Sequence, residues 1–284
     1  RQPFRPHIPT PRSPPGVATT LSQMRLGRVA SPDGVAFVSI DGNADDLVAR
    51  EIAEHPFGTP TFTGRSWPLA DVRLLAPILA TKVVCMGKNY AAHIEEMADT
   101  TGPAPDDPVI FLKPNTAIIG PNVAIQLPAN ASPVHHEGEL AVVIGRPCKD
   151  VPAARAADVI LGYTIANDVS ARDQQQADGQ WVRAKGHDTF CPVGPWIVTD
   201  LDPSDLEIRT EVNGQVRQHS RTSLMLHDVG AIIEWISAVM TLLPGDLILT
   251  GTPEGVGPIE DGDTVSVSIE GIGTLTNPVV RKAK

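Results

Sequence analysis

His135-His136-Glu137-Gly138-Glu139-Leu140-Ala141-Val142-Val143-Ile144 sets two glutamates at the head of an apolar run. A β-strand sends residues i and i+2 to one face, so Glu137 and Glu139 should point the same way. Two adjacent carboxylates repel, and moving out to solvent would cost them little. Their place at the start of a core strand predicts something positive between them, most economically a divalent cation. Glu-x-Glu alone is a weak signal, because a solvated strand face carries it as readily.

A second acidic position strengthens the idea. Val159–Ala166 reads as a buried strand, and Asn167-Asp168-Val169-Ser170-Ala171-Arg172-Asp173 follows it directly. Three carboxylates without a cysteine ligand point to a hard cation, Mg2+ or Mn2+, with Ca2+ less favoured. Zinc would want nitrogen from His135 or His136, yet neighbours on a strand face opposite ways, so both cannot serve one site. The bland alternative for Asp168 is a helix N-cap over residues 170–176. The residues alone leave both readings open.

Three further clusters are polar enough to carry chemistry. In Gly87-Lys88-Asn89-Tyr90-Ala91-Ala92-His93-Ile94-Glu95-Glu96-Met97, His93 and Glu96 are i, i+3 neighbours on a helix. A histidine oriented by a carboxylate can act as a general base, although an isolated pair is more often incidental. Arg183–Pro195 is Gly/Pro-punctuated and predicted as a loop. There Lys185 could neutralise an enolate or carboxylate, and Cys191 is better read as a small buried residue than as a nucleophile beside His187. Leu249–Pro258 lacks the Lys-Ser/Thr of a phosphate loop, though its amides and the Thr252 hydroxyl could bind a carboxylate.

Elsewhere the chain reads as β-rich. Gly (24) and Pro (27) are abundant among the 284 residues, which favours short strands and many turns over a helix bundle. Strands are predicted at 109–113, 138–144, 159–166, 196–198, 207–212, 247–250, 264–269 and 273–280. Arg25–Val29 and Val35–Ile40 flank the turn Ser31-Pro32-Asp33-Gly34 as a hairpin. A short helix is predicted over Ala44–Glu54, irregular chain over residues 55–70, and a long amphipathic helix over Ser223–Leu242. The expected organisation is a Pro-rich disordered extension at 1–23, a small β-rich unit at 24–75, and a catalytic domain at 76–284. Residues 1–23 are read as an upstream read-through or added piece rather than a targeting or docking arm. A net charge of −10 argues against nucleic acid or an anionic membrane as partner. No stretch approaches the length of a membrane span. Cys85, Cys148 and Cys191 form no CxxC pair, so a reducing, cytoplasmic setting is expected.

In combination the segments are far more specific. GKNYAAHIEEM (87–97), HHEGELAVVIG (135–145), GYTIANDVSARD (162–173), KGHDTFCPVGPW (185–196) and LTGTPEGVG (249–257) occur in this order. The chain therefore resembles the fumarylacetoacetate hydrolase family over about residues 80–280. The resemblance implies an α+β, β-rich fold, a mixed β-sandwich roll, in a homodimer. It implies Mg2+ or Mn2+ held by Glu137, Glu139 and Asp168. It implies Lys185 and the dyad His93 and Glu96 as catalytic groups, and Arg172, Gln175 and Thr252 as substrate contacts.

The implied substrate is a small 2-oxo or 2,4-dioxo acid that reacts through an enolate. The leading expectation is hydrolysis of an acylpyruvate such as fumarylpyruvate, with His93 and Glu96 activating water and Lys185 beside the leaving enolate. Isomerisation or decarboxylation of 2-hydroxyhepta-2,4-diene-1,7-dioate, or decarboxylation of oxaloacetate, uses the same enolate. A remote alternative is a metal-binding protein without catalysis.

Overall fold

The Gly138–Ile144 strand is buried along its whole length, and its two faces feed different cores. Leu140, Val142 and Ile144 pack into a cluster with Ile208, Val267 and the helical Ile232, Ile233 and Ile236. Ala141 and Val143 pack with Val83, Cys85, Leu247 and Leu249. Burial on both sides is why this strand reads as an unbroken apolar run rather than an alternation. Glu137 and Glu139 belong to the parity of Ala141 and Val143, whereas Gly138 faces the other sheet. A Cβ on Gly138 would lie 2.3 Å from Thr210 Oγ1 and 2.9 Å from Val267.

The computed structural model describes residues 23–43, 46–98 and 107–281. Its largest sheet runs, edge to edge, Phe62–Pro68, Val48–Ile52, Gly34–Asp41, Arg25–Ser31, Cys191–Val198, Ile160–Asn167, Gly138–Ile144, Leu247–Leu249, Val83–Gly87 and Val109–Lys113. Most neighbours are antiparallel, with Leu247–Leu249 parallel to Val83–Gly87. A second sheet, ordered Gln215–Arg221, Glu207–Val212, Thr264–Ile269, Gly273–Arg281, Ile125–Leu127, covers one face of the first. The strand-rich mixed architecture predicted from the sequence is what the chain adopts.

The strands within 24–75 continue the large sheet, with Arg25 opposite Val198 and Leu26 opposite Ile197. Here the sequence reading needs correction. The helix expected over Ala44–Glu54 is a strand, Val48–Ile52; residues 44 and 45 lie outside the described set, as do residues 1–22 of the predicted extension. Val48–Ile52 is paired on both sides, by Gly34–Asp41 and by Phe62–Pro68. The latter strand lies where irregular chain was expected. Backbone pairing with a ready-made hairpin outweighs weak helix propensity.

The long helix is shorter than its apolar spacing implied, running Val229–Val239. Asp228 caps it, its Oδ1 accepting from the Ala231 amide at 2.8 Å. It stops early because Leu242 and Cys148 exchange two backbone hydrogen bonds of 2.9 Å, which draws the chain out of helical geometry. The predicted loop 183–195 instead contains a short helix, Val182–Lys185, and the early half of the strand Cys191–Val198. Among the described residues, no helix is long and apolar enough to cross a membrane.

Gly162 is a point of close backbone approach. A Cβ there would lie 2.4 Å from the Val198 carbonyl oxygen, beside the bulge where Ile160–Asn167 shifts register against Cys191–Val198. Replacing it with alanine forces two central strands apart. Gly162→Ala is expected to cost about 1–3 kcal/mol, read as a lower urea midpoint. An unchanged midpoint would show that the bulge absorbs the methyl.

Candidate active site

Strand register brings the acidic residues together. Gly138 pairs with Asn167 and Glu139 with Ala166. One step past the ladder, the Asp168 amide donates to the Glu137 carbonyl at 2.8 Å, and Asn167 Oδ1 accepts from the Glu137 amide at 2.9 Å. Glu137, Glu139 and Asp168 each place a carboxylate oxygen within 4.8 Å of the others, and all three are buried. Asp168 does not cap a helix, since the next one starts at Arg172 and is preceded by Ala171.

Cations surround this cluster. Lys185 Nζ lies 2.6 Å from Glu137 Oε2 and 2.7 Å from Asp168 Oδ2. Arg172 Nη2 lies 2.5 Å from Glu137 Oε1, and its Nη1 donates to Gln175 Oε1 at 2.9 Å. Lys113, which the sequence reading missed, lies 2.5 Å from Asp168 Oδ1 and is itself buried. It closes the run Val109-Ile110-Phe111-Leu112-Lys113 just before a proline, where a lysine ordinarily reaches solvent. Its only sequence signal was that position, at the end of an apolar run.

The electrostatics follow from crowding and burial. Burial would raise the Glu137 pKa, but Lys185 and Arg172 outweigh it and hold this carboxyl below the ordinary range. Glu139 is pushed well up, by burial and by the Asp168 and Glu137 anions; the Gly251 amide opposes this, donating to Glu139 Oε2 at 2.7 Å. Burial would lower Lys185, yet Asp168 and Glu137 keep its pKa raised, so it stays a charged ammonium.

Of the predicted residues, His93, Glu137, Glu139, Asp168, Arg172, Gln175, Lys185 and Thr252 line one cleft. Its apolar wall includes Phe111 and Trp181, set edge to face with centroids 5.2 Å apart. His93 Nδ1 is 3.3 Å from Glu96 Oε2 on the helix Ala91–Glu96. The Gly255 amide donates to both Glu96 oxygens at 3.1 Å. Burial raises the Glu96 pKa, but the His93 and Gly255 hydrogen bonds bring it below its ordinary value.

Thr252 is held by Gln218, a second residue the sequence reading missed because it lies in a polar strand with no apolar pattern. Gln218 Nε2 donates to Thr252 Oγ1 at 2.7 Å, and Thr252 Oγ1 donates to the Gly138 carbonyl at 2.9 Å. Gln218 Oε1 accepts from the Gly138 amide at 3.0 Å and lies 3.3 Å from His136 Nδ1. Gly138 has no side chain, which is what lets the second sheet reach the backbone between the two glutamates. On the opposite side, Asn89 Nδ2 donates to the Thr250 and His227 carbonyls, fixing the loop that carries Gly251 and Thr252.

Three hard oxygen donors, two of them converging on one ammonium, suit a small divalent cation better than zinc. His136 turns away toward Gln218, and among the described residues the metal-competent group contains no histidine. Cys191 lies in the core, its thiol pushed up to about 12 by burial, so it is no nucleophile.

Fold and site together define an enzyme class, and the comparisons identify it: the chain belongs to the fumarylacetoacetate hydrolase family. The family model for the fumarylacetoacetate (FAA) hydrolase C-terminal region matches residues 82–280, and an Rv2993c-like N-terminal model matches residues 24–77. The chain is similar to the crystal structure of 2-hydroxyhepta-2,4-diene-1,7-dioate isomerase from Mycobacterium marinum, with 80% identity, TM-score 0.86, and coverage of 92% of this chain and 100% of that one. It is 44% identical over 226 residues to a mitochondrial oxaloacetate tautomerase of Bos taurus, covering 75% of this chain and 71% of that protein. It is 32% identical, with TM-score 0.72, to maleylpyruvate hydrolase from Sphingobium sp. SYK-6, solved with manganese(II) and pyruvate; 92% of this chain and 100% of that one are covered.

His136 makes the site's surroundings acid-sensitive. Burial depresses its pKa to about 4, against an ordinary 6.5. The unfolded chain therefore binds a proton more readily than the folded one between those values, and stability falls as pH drops from about 6.5 toward 4. His136→Gln should lose less unfolding free energy than the wild type between about pH 7 and pH 5, measured in EDTA by urea titration. Equal losses would mean that His136 titrates alike in the folded and unfolded chains.

Proposed function

We propose that this protein moves a proton on an enolisable 2-oxo acid, as a tautomerase or isomerase of a small oxo-dicarboxylate. The observation that carries the reading is His93, paired with Glu96, lining the same cleft as three carboxylates and a lysine whose pKa those carboxylates raise. Glu137, Glu139 and Asp168 would hold a divalent ion, Mg2+ or Mn2+, which when bound supplies Lewis-acid polarisation of a substrate carbonyl.

The chain's own groups divide the remaining work. His93, oriented by Glu96, takes the proton from the carbon next to the carbonyl. Lys185 is poorly suited to be that base, because Asp168 and Glu137 raise its pKa; its ammonium offsets the charge that grows on the enolate oxygen. Arg172 Nε is buried without a hydrogen-bond partner among the described residues, leaving a donor for a substrate carboxylate. The Thr252 hydroxyl proton is committed to the Gly138 carbonyl, so toward substrate Thr252 Oγ1 can only accept. An enol O–H suits it; a carboxylate does not. Run from the enol side, His93 takes the enol O–H proton and returns it to the adjacent carbon in a tautomerase, or to the far carbon of the diene in an isomerase, with no other reactant needed.

Hydrolysis of an acylpyruvate is the second reading. The Gly255 amide locks Glu96 behind His93, as a water-activating dyad would also require. The relatives named isomerase and tautomerase, at 80% and 44% identity, stand nearer in sequence than neighbours named hydrolase, at 36% and 32%, which supports the first reading.

The test follows the enol absorbance of oxaloacetate, 2-hydroxyhepta-2,4-diene-1,7-dioate and fumarylpyruvate with Mg2+, identifying products by mass. Ketonisation or isomerisation without loss of carbon, abolished by EDTA, is expected. Cleavage to pyruvate plus an acid would move the assignment to the hydrolase. His93→Gln should lower kcat by about 100-fold or more while Mn2+ still binds in calorimetry; Glu137→Gln should lose both. Lost Mn2+ binding in His93→Gln would count against its role as base.

A further inference from the structure

Each carboxylate of the acidic cluster has at least one oxygen already engaged, and Glu137 and Asp168 have both. Arg172 Nη2 is 2.5 Å from Glu137 Oε1. The Gly251 amide donates to Glu139 Oε2 at 2.7 Å. Lys113 Nζ lies 2.5 Å from Asp168 Oδ1. The other oxygens of Glu137 and Asp168 both point at Lys185, so those two carboxylates divide into a held oxygen and one turned inward.

Lys113 is the least expected of the three holds. Its side chain is 0% exposed, and desolvating an ammonium costs several kcal/mol unless it is closely paired. Neutralising Asp168 does not require it, since Lys185 already contacts the same carboxylate. Lys113 also donates to the Val169 carbonyl at 3.2 Å, which fixes the ammonium at two points behind Asp168. It does not line the cleft, so it does not meet substrate.

We propose that Lys113 is a positioning residue that holds Asp168 to single-oxygen ligation, and that with Arg172 and the Gly251 amide it makes the site select a six-coordinate cation over Ca2+. This rests on the metal-holding role in the preceding section. Three single oxygens leave the rest of an octahedron for water and substrate, the arrangement Mg2+ and Mn2+ favour. Ca2+ takes 6–8 oxygens and commonly gains them from carboxylates that use both. A site whose carboxylates each lend one oxygen undersupplies it.

The experiment is calorimetric titration of substrate-free protein with Mn2+, Mg2+ and Ca2+, for wild type, Lys113→Met and Lys113→Arg. Wild type should bind Ca2+ more weakly than Mn2+. Lys113→Met should shift the Ca2+/Mn2+ affinity ratio toward Ca2+ by at least about tenfold, as Asp168 becomes free to use both oxygens. Lys113→Arg, which keeps a donor, should stay near wild type. Parallel gains for all ions in Lys113→Met, with the ratio unchanged, would reduce Lys113 to a field effect and overturn the proposal. Infrared difference spectra of the wild type on Mn2+ loading give an answer that does not depend on any variant folding. Widely split carboxylate stretches are expected for one-oxygen ligation, and narrow splitting would overturn it. Failure to bind any of the ions would sink the metal-holding role itself, whereas an inert enzyme that still discriminates Mn2+ from Ca2+ would leave this inference standing.

Discussion

Three carboxylates forced together out of water repel one another, and much around them answers that repulsion. Glu137 and Glu139 cannot turn outward, because their strand is buried on both faces and register fixes their direction. Asp168 cannot withdraw, because its amide is bonded to the Glu137 carbonyl. Compensation has to come to them. Lys185 arrives from a short helix, Arg172 from the helix before it, and Lys113 from the edge strand of the large sheet. The cleft is thus a place where the chain has concentrated charge of both signs in a poorly solvated volume, where each interaction is stronger than at the surface.

Supporting polar groups extend that logic outward. Gln218 uses its amide to bond Thr252, the Pro253 carbonyl and the Gly138 amide. Asn89 does the equivalent from the opposite side. These two amides tie the acidic strand, the Thr252 loop and the base-bearing segment into one polar framework. Buried polar groups satisfied in this way define a single arrangement, since any shift leaves one of them unpaired.

Much of this was legible in the sequence, for physical reasons that can be named. Glu137, Glu139 and Asp168 were readable because a period of two puts both glutamates on one face and a buried strand ends at the aspartate. His93 and Glu96 were readable as an i, i+3 pair, but nothing local said that they face the acids; the ordered set of motifs supplied that. Lys113 was not readable, because a lysine closing a strand is usually solvated and only the tertiary structure buries it. Gln218 was hidden in Gln215–Arg221, a strand whose exposed, polar pattern carries no hydrophobic period. The helix predicted over residues 44–54 failed because strand pairing is non-local: Val48–Ile52 becomes a strand only beside Gly34–Asp41. The shortened end of Val229–Val239 is likewise set by Cys148, some ninety positions away in the chain.

The segment carrying His93 is fastened unequally at its two ends. Asn89, at its root, is 1% exposed and held by three side-chain hydrogen bonds as well as the Leu226 amide on its carbonyl. Glu96, at its tip, is one-third exposed and reaches across to the amide of Gly255. That is a stiff hinge with a light latch. Breaking that latch would cost only an exposed, charge-assisted contact, whereas the bonds of Asn89 and of the acidic cluster beneath do not depend on it. Whatever disturbs the exposed tip of this segment therefore has no direct lever on the three carboxylates.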